Sequence, residues 1–469
     1  MATIDTYAQE LMQLAAYAWE HPEPGFRETA CSASQVAYLR KQGFAVTTDA
    51  ARTKTGYVAC WGSGKPVIAF LGEFDALWGL QQQADATVPM PLSDQAMGQG
   101  CGHHLLGVGA IGAGLLYRDY LLENHLPGTV RIYGCPGEES GSGKAYMARE
   151  GLFDDCDAAI TWHPSNFNMV VTGSTQSCIQ CYFRFTGIPA HAAGAPHLGR
   201  SALDAVELMN VGVNYLREHM LPSDRVHYAI TDPGGSAPNV VQARAEVRYF
   251  VRSATNPACE QLFERVQNIA RGAALMTGTQ VEIVFDEGLS NTVPNFTLEK
   301  VMDRAFRELG VPEYTDSERA YAKAFKDTVP LSNMLSDLPR AAKDPERLAA
   351  AMEQEPLCDF YVETNHSDLC EMGSTDVGDV SWVTPTVTAN VNCFSFGAGA
   401  HSWQWVAQGK SSIASKGMLR AGEIMARTAR LLQEQPDLLA QARQELNTRL
   451  RGDRYRCPIP KGVWPHYFD

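Results

Sequence analysis

Cys101 and His103 stand two positions apart in Gly-Gln-Gly-Cys101-Gly-His103-His104, and the pair Glu138-Glu139 closes the apolar run 129–137. His163 ends the run 158–162, and His401 follows the run 391–400. Thiolate, imidazole and carboxylate are the groups that hold divalent transition metals. All of these residues fall at the carboxyl ends of strand-like runs or just past them. In an open α/β sheet, ligands bind in the crevice beyond those ends. Segments far apart in sequence therefore have a reason to meet in one small volume.

Each candidate allows a specific chemistry and also a plainer role. Gly102 lets the backbone turn so that Cys101 and His103 can face one centre; a structural Cys and His in a glycine-rich loop is the alternative. A thiolate at the start of a helix is stabilised by the helix dipole, and metal binding would deprotonate it. Two adjacent carboxylates after a buried strand are costly unless a cation lies between them. One could then ligate while its neighbour acts as general base. The pair could instead cap a helix over 140–150, where acidic groups favour the positive helix end. His191, in Ala190-His191-Ala-Ala-Gly-Ala-Pro, could stabilise an oxyanion or sit in an ordinary turn. Asn239 ends Gly234-Gly-Ser-Ala-Pro-Asn239, which offers donors or merely a hairpin turn. Arg252 suits bidentate carboxylate binding but could equally face solvent from an edge strand. Cys178 and Cys181 lack the second half of a zinc knuckle and point to opposite strand faces, so no metal role is expected of them. Two rival readings remain: Cys101 as the nucleophile of a cysteine amidase, and a catalytically silent binding subunit.

The elements that must position these groups can be read from periodicity. Helical patterns cover 5–21 and 27–42. The continuous apolar run 66–71 reads as a strand buried on both faces of a parallel sheet, and it ends at Glu73-Phe-Asp75. A Gly- and Leu-rich helix from 103 to about 123 can pack closely on that sheet. Strand 129–134, helix 140–150 and strand 158–162 continue a β-α-β alternation, hence a mostly parallel sheet. From 177 onward Ile179, Cys181, Phe183 and Phe185 alternate with polar residues. The β-α-β-β-α-β order that follows is ferredoxin-like, and it lies between segments that carry proposed ligands. The expected organisation is a catalytic domain in two parts, 1–176 and 290–469, with an inserted lid or dimerisation domain over 177–289. The tail from 451 to 469 is expected to pack on a surface.

With 469 residues and 45% apolar composition, a large core is possible. The net charge of −14 argues against a nucleic-acid or anionic-membrane partner. No apolar run is expected to approach bilayer-spanning length, and no basic-then-apolar leader is visible at the N-terminus. Twelve dispersed cysteines read as reduced thiols in a cytoplasmic protein.

Taken in order, the motifs resemble those of the dinuclear metal amidohydrolases related to aminoacylase and carboxypeptidase G. Within them the chain is most similar to the hippurate, auxin-conjugate and aminobenzoyl-glutamate hydrolase group. The resemblance spans nearly the whole chain. It rests on Gly-Glu73-Phe-Asp75-Ala-Leu, Gly-Cys101-Gly-His103, Pro-Gly-Glu138-Glu139, His163-Pro and Ala190-His191-Ala-Ala-Gly-Ala-Pro. It continues through Pro238-Asn239-Val-Val, Gly373-Ser-Thr-Asp376-Val-Gly-Asp379-Val and Gly-Ala-His401-Ser. It implies a metallopeptidase-type α/β catalytic domain and hydrolysis of the amide of an N-acyl-amino acid, with p-aminobenzoyl-glutamate or a similar aryl-acyl conjugate of an acidic amino acid favoured. By the same resemblance Cys101, His103, Glu139, His163 and His401 would hold two divalent ions, Mn²⁺ or Zn²⁺, and Glu138 would be the general base. Asp75 would orient a ligand, His191 would reach a partner subunit's site, Asn239 would join it on the oxyanion, and Arg252 would bind the substrate carboxylate. A homodimer, or an assembly with a paralogous subunit, is implied. Two departures stand out: His104 where much of the group has Asp, and Gly137 where many relatives have Ala. The region 311–372 matches no known pattern and is expected to shape the acyl pocket.

Overall fold

The structure is a computed structural model that describes residues 3–93 and 96–465. Its larger sheet has seven strands. In spatial order they are Ala45–Thr48, Tyr57–Ser63, Gly128–Cys135, Val67–Glu73, Ala158–Ser165, Thr386–Asn392 and Met169–Val170. The four strands from Gly128–Cys135 to Thr386–Asn392 run parallel, and the flanking pairs are antiparallel. Their four carboxyl ends therefore open on one edge. Val67–Glu73 is buried at every position, as its unbroken apolar run requires. Each large side chain there contributes about 1.5–3 kcal/mol of burial.

The helix His103–Glu123 lies against this sheet. Its glycines are what allow the approach. A Cβ on Gly109 would come within 2.6 Å of the Trp162 indole nitrogen, and one on Gly114 would strike Ile132. Trp162 is then fixed by its Nε1 donating to Leu106 O at 2.9 Å. The expectation that no apolar stretch reaches spanning length needs correction. This helix is long and apolar enough to cross a membrane, but most of it is buried in the core of the fold.

A second sheet has four antiparallel strands in the order Arg225–Asp232, Arg244–Ser253, Ser177–Thr186 and Gln280–Leu289. The helices Ala202–Leu216 and Asn256–Thr277 pack on it. Ile179, Phe183, Phe185, Val206, Met209 and Val266 belong to a hydrophobic cluster separate from that of the larger sheet. A unit with its own core behaves as a domain. The first of these helices ends as an α-helix at Leu216 and finishes in a 3-10 turn, Arg217–His219.

Two details differ from the sequence reading. His163 lies inside its strand, which runs on to Ser165. The strand before His401 ends at Asn392, so His401 sits on a loop well beyond it. The tail does pack: Ile459 is buried, and the Trp464 ring lies 4.4 Å from both the Arg52 and Arg149 guanidinium carbons. The last four positions of that tail, 466–469, lie outside the described residues, as do 94 and 95 in the loop that leads to Cys101.

Candidate metal centre

At the open edge of the larger sheet, the chain from several strand ends converges. Gly102 takes φ +78° as the helix cap, which turns Cys101 and His103 toward one centre. The His103 ring is buried, and its Nδ1 lies 2.8 Å from Asp75 Oδ1. A carboxylate only accepts, so Nδ1 carries a proton, and Nε2, 3.1 Å from Glu73 Oε2, is the nitrogen turned inward. The same logic applies to His163. Its Nδ1 is 2.7 Å from the Pro164 carbonyl, which leaves Nε2 free, 3.4 Å from Cys101 Sγ. Asp75 also accepts from the Glu139 backbone N–H at 2.9 Å, so one carboxylate orients His103 and anchors the loop of the Glu pair. His401 Nε2 lies 3.0 Å from Glu139 Oε1. Its backbone is held at φ +60° and its N–H donates to Gly100 O at 2.8 Å. Left-handed backbone in a non-glycine residue persists only when the surroundings impose it, and it concentrates at functional sites.

His104 is separated from this cluster. It is buried, its Nε2 pairs with Gly409 O at 2.9 Å, and burial lowers its pKa to about 4. The departure at that position is thus a packed core histidine.

The donor atoms fall into overlapping groups: Cys101, His103 and His163; Cys101, Glu139 and His401; and Glu73, His103 and Glu138. Two shared centres drawn from one cluster suit a pair of ions. Unpartnered buried atoms test the fit. His103 Nε2 and Glu139 Oε1 are both buried with no well-formed hydrogen bond, although Glu73 and His401 lie 3.1 and 3.0 Å away. Buried polar atoms left bare are costly, and a cation at each would satisfy them. The residues therefore fit a metal pair.

The electrostatics point the same way. Burial, then the charges of Glu73, Glu139 and Asp376, raise the Glu138 carboxyl well above its ordinary range. Burial and the Glu139 carboxylate raise the Cys101 thiol likewise. A reactive nucleophilic cysteine needs the opposite shift, which weighs against the cysteine-amidase alternative. Burial alone would lower His103, but Cys101, Glu73 and Asp75 raise it well above the imidazole range.

The cluster opens into a cavity of about 350 Å³, whose walls include Glu138, Trp162, Ser174, Thr175, Thr292, Glu371, Ser374 and Thr375. Segment 369–373 pairs with 173–176 through backbone bonds, so the end of the unmatched region 311–372 does form a cavity wall. Arg252 stands behind that wall. Its Nη1 donates to Ser374 Oγ at 3.0 Å, its guanidinium stacks 4.0 Å over Phe250, and its Nε is buried without a partner.

His191 and Asn239 are not among the cavity walls. Both are exposed on loops of the second domain, joined through the Ala192 N–H to Asn239 O bond at 3.0 Å. His191 Nδ1 accepts from the N–H groups of Ala193 and Gly194 at 3.2 and 3.0 Å. Its proton therefore resides on Nε2, a donor facing outward.

Four buried groups escaped the sequence reading. Glu73 ends a buried strand and could have been found by the rule that found the others. Asp376 lay inside a quoted motif without an assigned role. Lys144 and Glu28 lie at or beside ordinary helix starts and gave no signal. Glu28 accepts from Gly137 N–H at 2.8 Å and Thr55 Oγ1 at 2.6 Å, holding the Glu138 loop from beneath.

Residues 174–275 match the peptidase dimerisation domain family. The chain is 44% identical to one of the subunits of the p-aminobenzoyl-glutamate hydrolase of Escherichia coli (strain K12), over 98% of this chain and 97% of that protein. It is 32% identical to a different subunit of the same organism's hydrolase, over 49% of this chain and 54% of that one. Among solved structures, a Bacillus subtilis protein described as a dinuclear metal binding peptidase from the M20 family shares the fold, with TM-score 0.55 and 19% identity over 92% of this chain and 99% of that one. The full-length likeness to the first of those hydrolase subunits, on this fold, shows that the chain belongs to the p-aminobenzoyl-glutamate hydrolase family of amidohydrolases.

Proposed function

We propose that this chain hydrolyses the amide of p-aminobenzoyl-glutamate or a closely similar aryl-acyl conjugate of an acidic amino acid. Cys101, His103, Glu139, His163 and His401 would hold two ions, Mn²⁺ or Zn²⁺, which when bound supply Lewis acidity and an acidified water. Glu138 takes the proton from the attacking water and returns it to the leaving amine. Its raised affinity for a proton in the ion-free cluster suits a group that must accept one. His191 Nε2–H and the Asn239 amide donate to the oxyanion once the second domain, of this chain or of a neighbour, is brought over the cavity. Arg252 and the hydroxyls of Ser174, Thr175, Thr292 and Ser374 suit the carboxylates of an acidic leaving group.

The observation that carries this reading is the tautomer pattern. His103 and His163 both have Nδ1 committed outward and Nε2 turned on the same centre. A second subunit, identical or paralogous, is supported by the strand Arg225–Asp232. It is one of the two edge strands of the smaller sheet and is exposed along most of its length. The helix Ala202–Leu216, packed on the same sheet, leaves Leu208, Val211 and Tyr215 exposed on one face. A cytoplasmic location is supported by all twelve cysteines being unpaired.

The test is elemental analysis of the purified chain, alone and with a paralogous subunit, beside a hydrolysis panel that varies acyl and amino-acid parts separately. Two ions per chain, with fastest turnover on aryl-acyl glutamate or aspartate, is the expected result. Full activity after exhaustive chelation would overturn it.

A further inference from the structure

The hydroxyls on the cavity wall are not equivalent, and their hydrogen bonds separate them. A hydroxyl has one hydrogen to give and two lone pairs that receive. Ser174 gives its hydrogen to Thr292 O at 2.7 Å. Thr175 Oγ1 and Thr292 Oγ1 lie 2.8 Å apart, so one of them donates to the other. Thr375 Oγ1 receives a neutral backbone N–H, that of Val377, at 3.3 Å. Ser374 is different. Its Oγ receives the Arg252 Nη1–H at 3.0 Å, and a guanidinium cannot accept in return. The Ser374 hydrogen is therefore left for another acceptor. Burial, then the Glu287 charge, pushes the neighbouring Cys178 thiol well above its ordinary range, so Cys178 offers Ser374 a weak neutral acceptor and no thiolate.

Arg252 supplies the second observation. It is half-buried, near the end of the strand Arg244–Ser253, and it is not itself a cavity wall. Its Nε is buried without a partner, and among the described residues no carboxylate pairs with it. A cation taken out of water without a counter-ion is costly. An anion in the cavity, one hydroxyl away, would be the partner it lacks. The Glu371 carboxylate on the same wall lies 3.8 Å from Arg340, whose charge offsets it.

We propose that Ser374 is the group that meets a carboxylate of the leaving amino acid, and that Arg252 is a positioning residue that acts through it. The guanidinium fixes the Ser374 oxygen and polarises its O–H, and the hydrogen is left to donate to the substrate. A chain of hydrogen bonds that begins on a cation is stronger than the same hydroxyl alone. This rests on the substrate reading above, in which several wall groups suit that carboxylate, and it selects one of them.

The test uses the metal-loaded enzyme in its active assembly. It compares KM for p-aminobenzoyl-glutamate with the competitive inhibition constant of its diamide, in which both glutamate carboxylates are uncharged carboxamides. Wild type should bind the diacid far more tightly than the diamide. Ser374→Ala should raise KM for the diacid about tenfold or more, the loss of one hydrogen bond to a charged group. Its kcat should stay within about twofold of wild type, as expected when binding rather than chemistry is lost, and diamide binding should barely change. Ser374→Thr, which restores the hydroxyl, should recover most of the lost affinity. Arg252→Met should raise the diacid KM to a similar degree. Ser374→Ala/Arg252→Met should be little worse than either single variant, because the two groups act in series. If Arg252→Met does not fold, the Ser374 variants decide alone. A wild-type diacid KM in Ser374→Ala, or additive losses in the double variant, would mean that Arg252 takes the carboxylate directly; either overturns this proposal while leaving the substrate reading intact. A wild type that does not hydrolyse the diacid, or binds the diamide as well, overturns both.

Discussion

The two halves of the proposed site are built in opposite ways. In the catalytic domain three parts of the cluster are gripped from behind: His103 by Asp75, His163 by its neighbour's carbonyl, and the Glu138 loop by Glu28 and Asp75. In the second domain His191 and Asn239 sit exposed, bonded only within their own pair of loops. The difference teaches what each half must do. Metal ligands must be right to within a fraction of an ångström before anything arrives, which suits His163 on a strand and His103 at a helix start, both with buried support. Oxyanion donors need only arrive with the substrate, so they can ride on a domain that moves or that belongs to another copy.

The largest effect should come from the fixed half. Glu138→Ala is expected to cut kcat by about a hundredfold or more while metal content, measured by elemental analysis, stays at the wild-type value. Near-normal turnover in the metal-loaded variant would remove Glu138 from its role. The exposed half should show a different signature. His191→Ala is expected to lower kcat by about a hundredfold with metal content and thermal unfolding unchanged. Mixing refolded Glu138→Ala and His191→Ala chains then tells where His191 acts. If it completes a neighbour's site, mixed assemblies contain one intact site and regain activity. If it closes over its own chain, every site keeps one lesion and the mixture stays inactive.

The smallest effect concerns the buried support. Burial and the Asp75 charge raise the Glu28 pKa from an ordinary 4.5 to about 8. Between those values the folded chain holds a proton that the unfolded chain has released. The group's contribution to stability is therefore complete below 4.5 and is lost as pH rises to about 8. Glu28→Gln carries no such titration. Urea unfolding of both proteins across this range should show the variant gaining relative stability as pH increases. A constant difference would mean that Glu28 is not a protonated clamp, and the rigid half would lose one of its supports.

Much of the cluster was legible because metal chemistry uses few residue types and the parallel sheet puts its strand ends on one edge. Cys101, the Glu pair and His163 could be picked out on that basis alone. The choice of His103 over His104 could not. Both are histidines at a helix start, and only the fold separates them, with Asp75 against His103 and Gly409 against His104. Lys144 was illegible for a related reason. A lysine near a helix start looks like any solvated lysine until the fold brings Glu73 and Asp376, far away in sequence, to either side of it.

Local pattern was enough for the α/β class, the positions of most elements and the list of metal-loving residues, because periodicity and residue chemistry act over short stretches of chain. Three matters waited on the folded molecule. They are which nitrogen of each histidine faces the centre, that Glu73 also reaches it, and that His191 and Asn239 stand apart from the cavity. All three depend on contacts between residues dozens to hundreds of positions apart. Such contacts are set by how whole elements pack, and no short stretch of sequence records that.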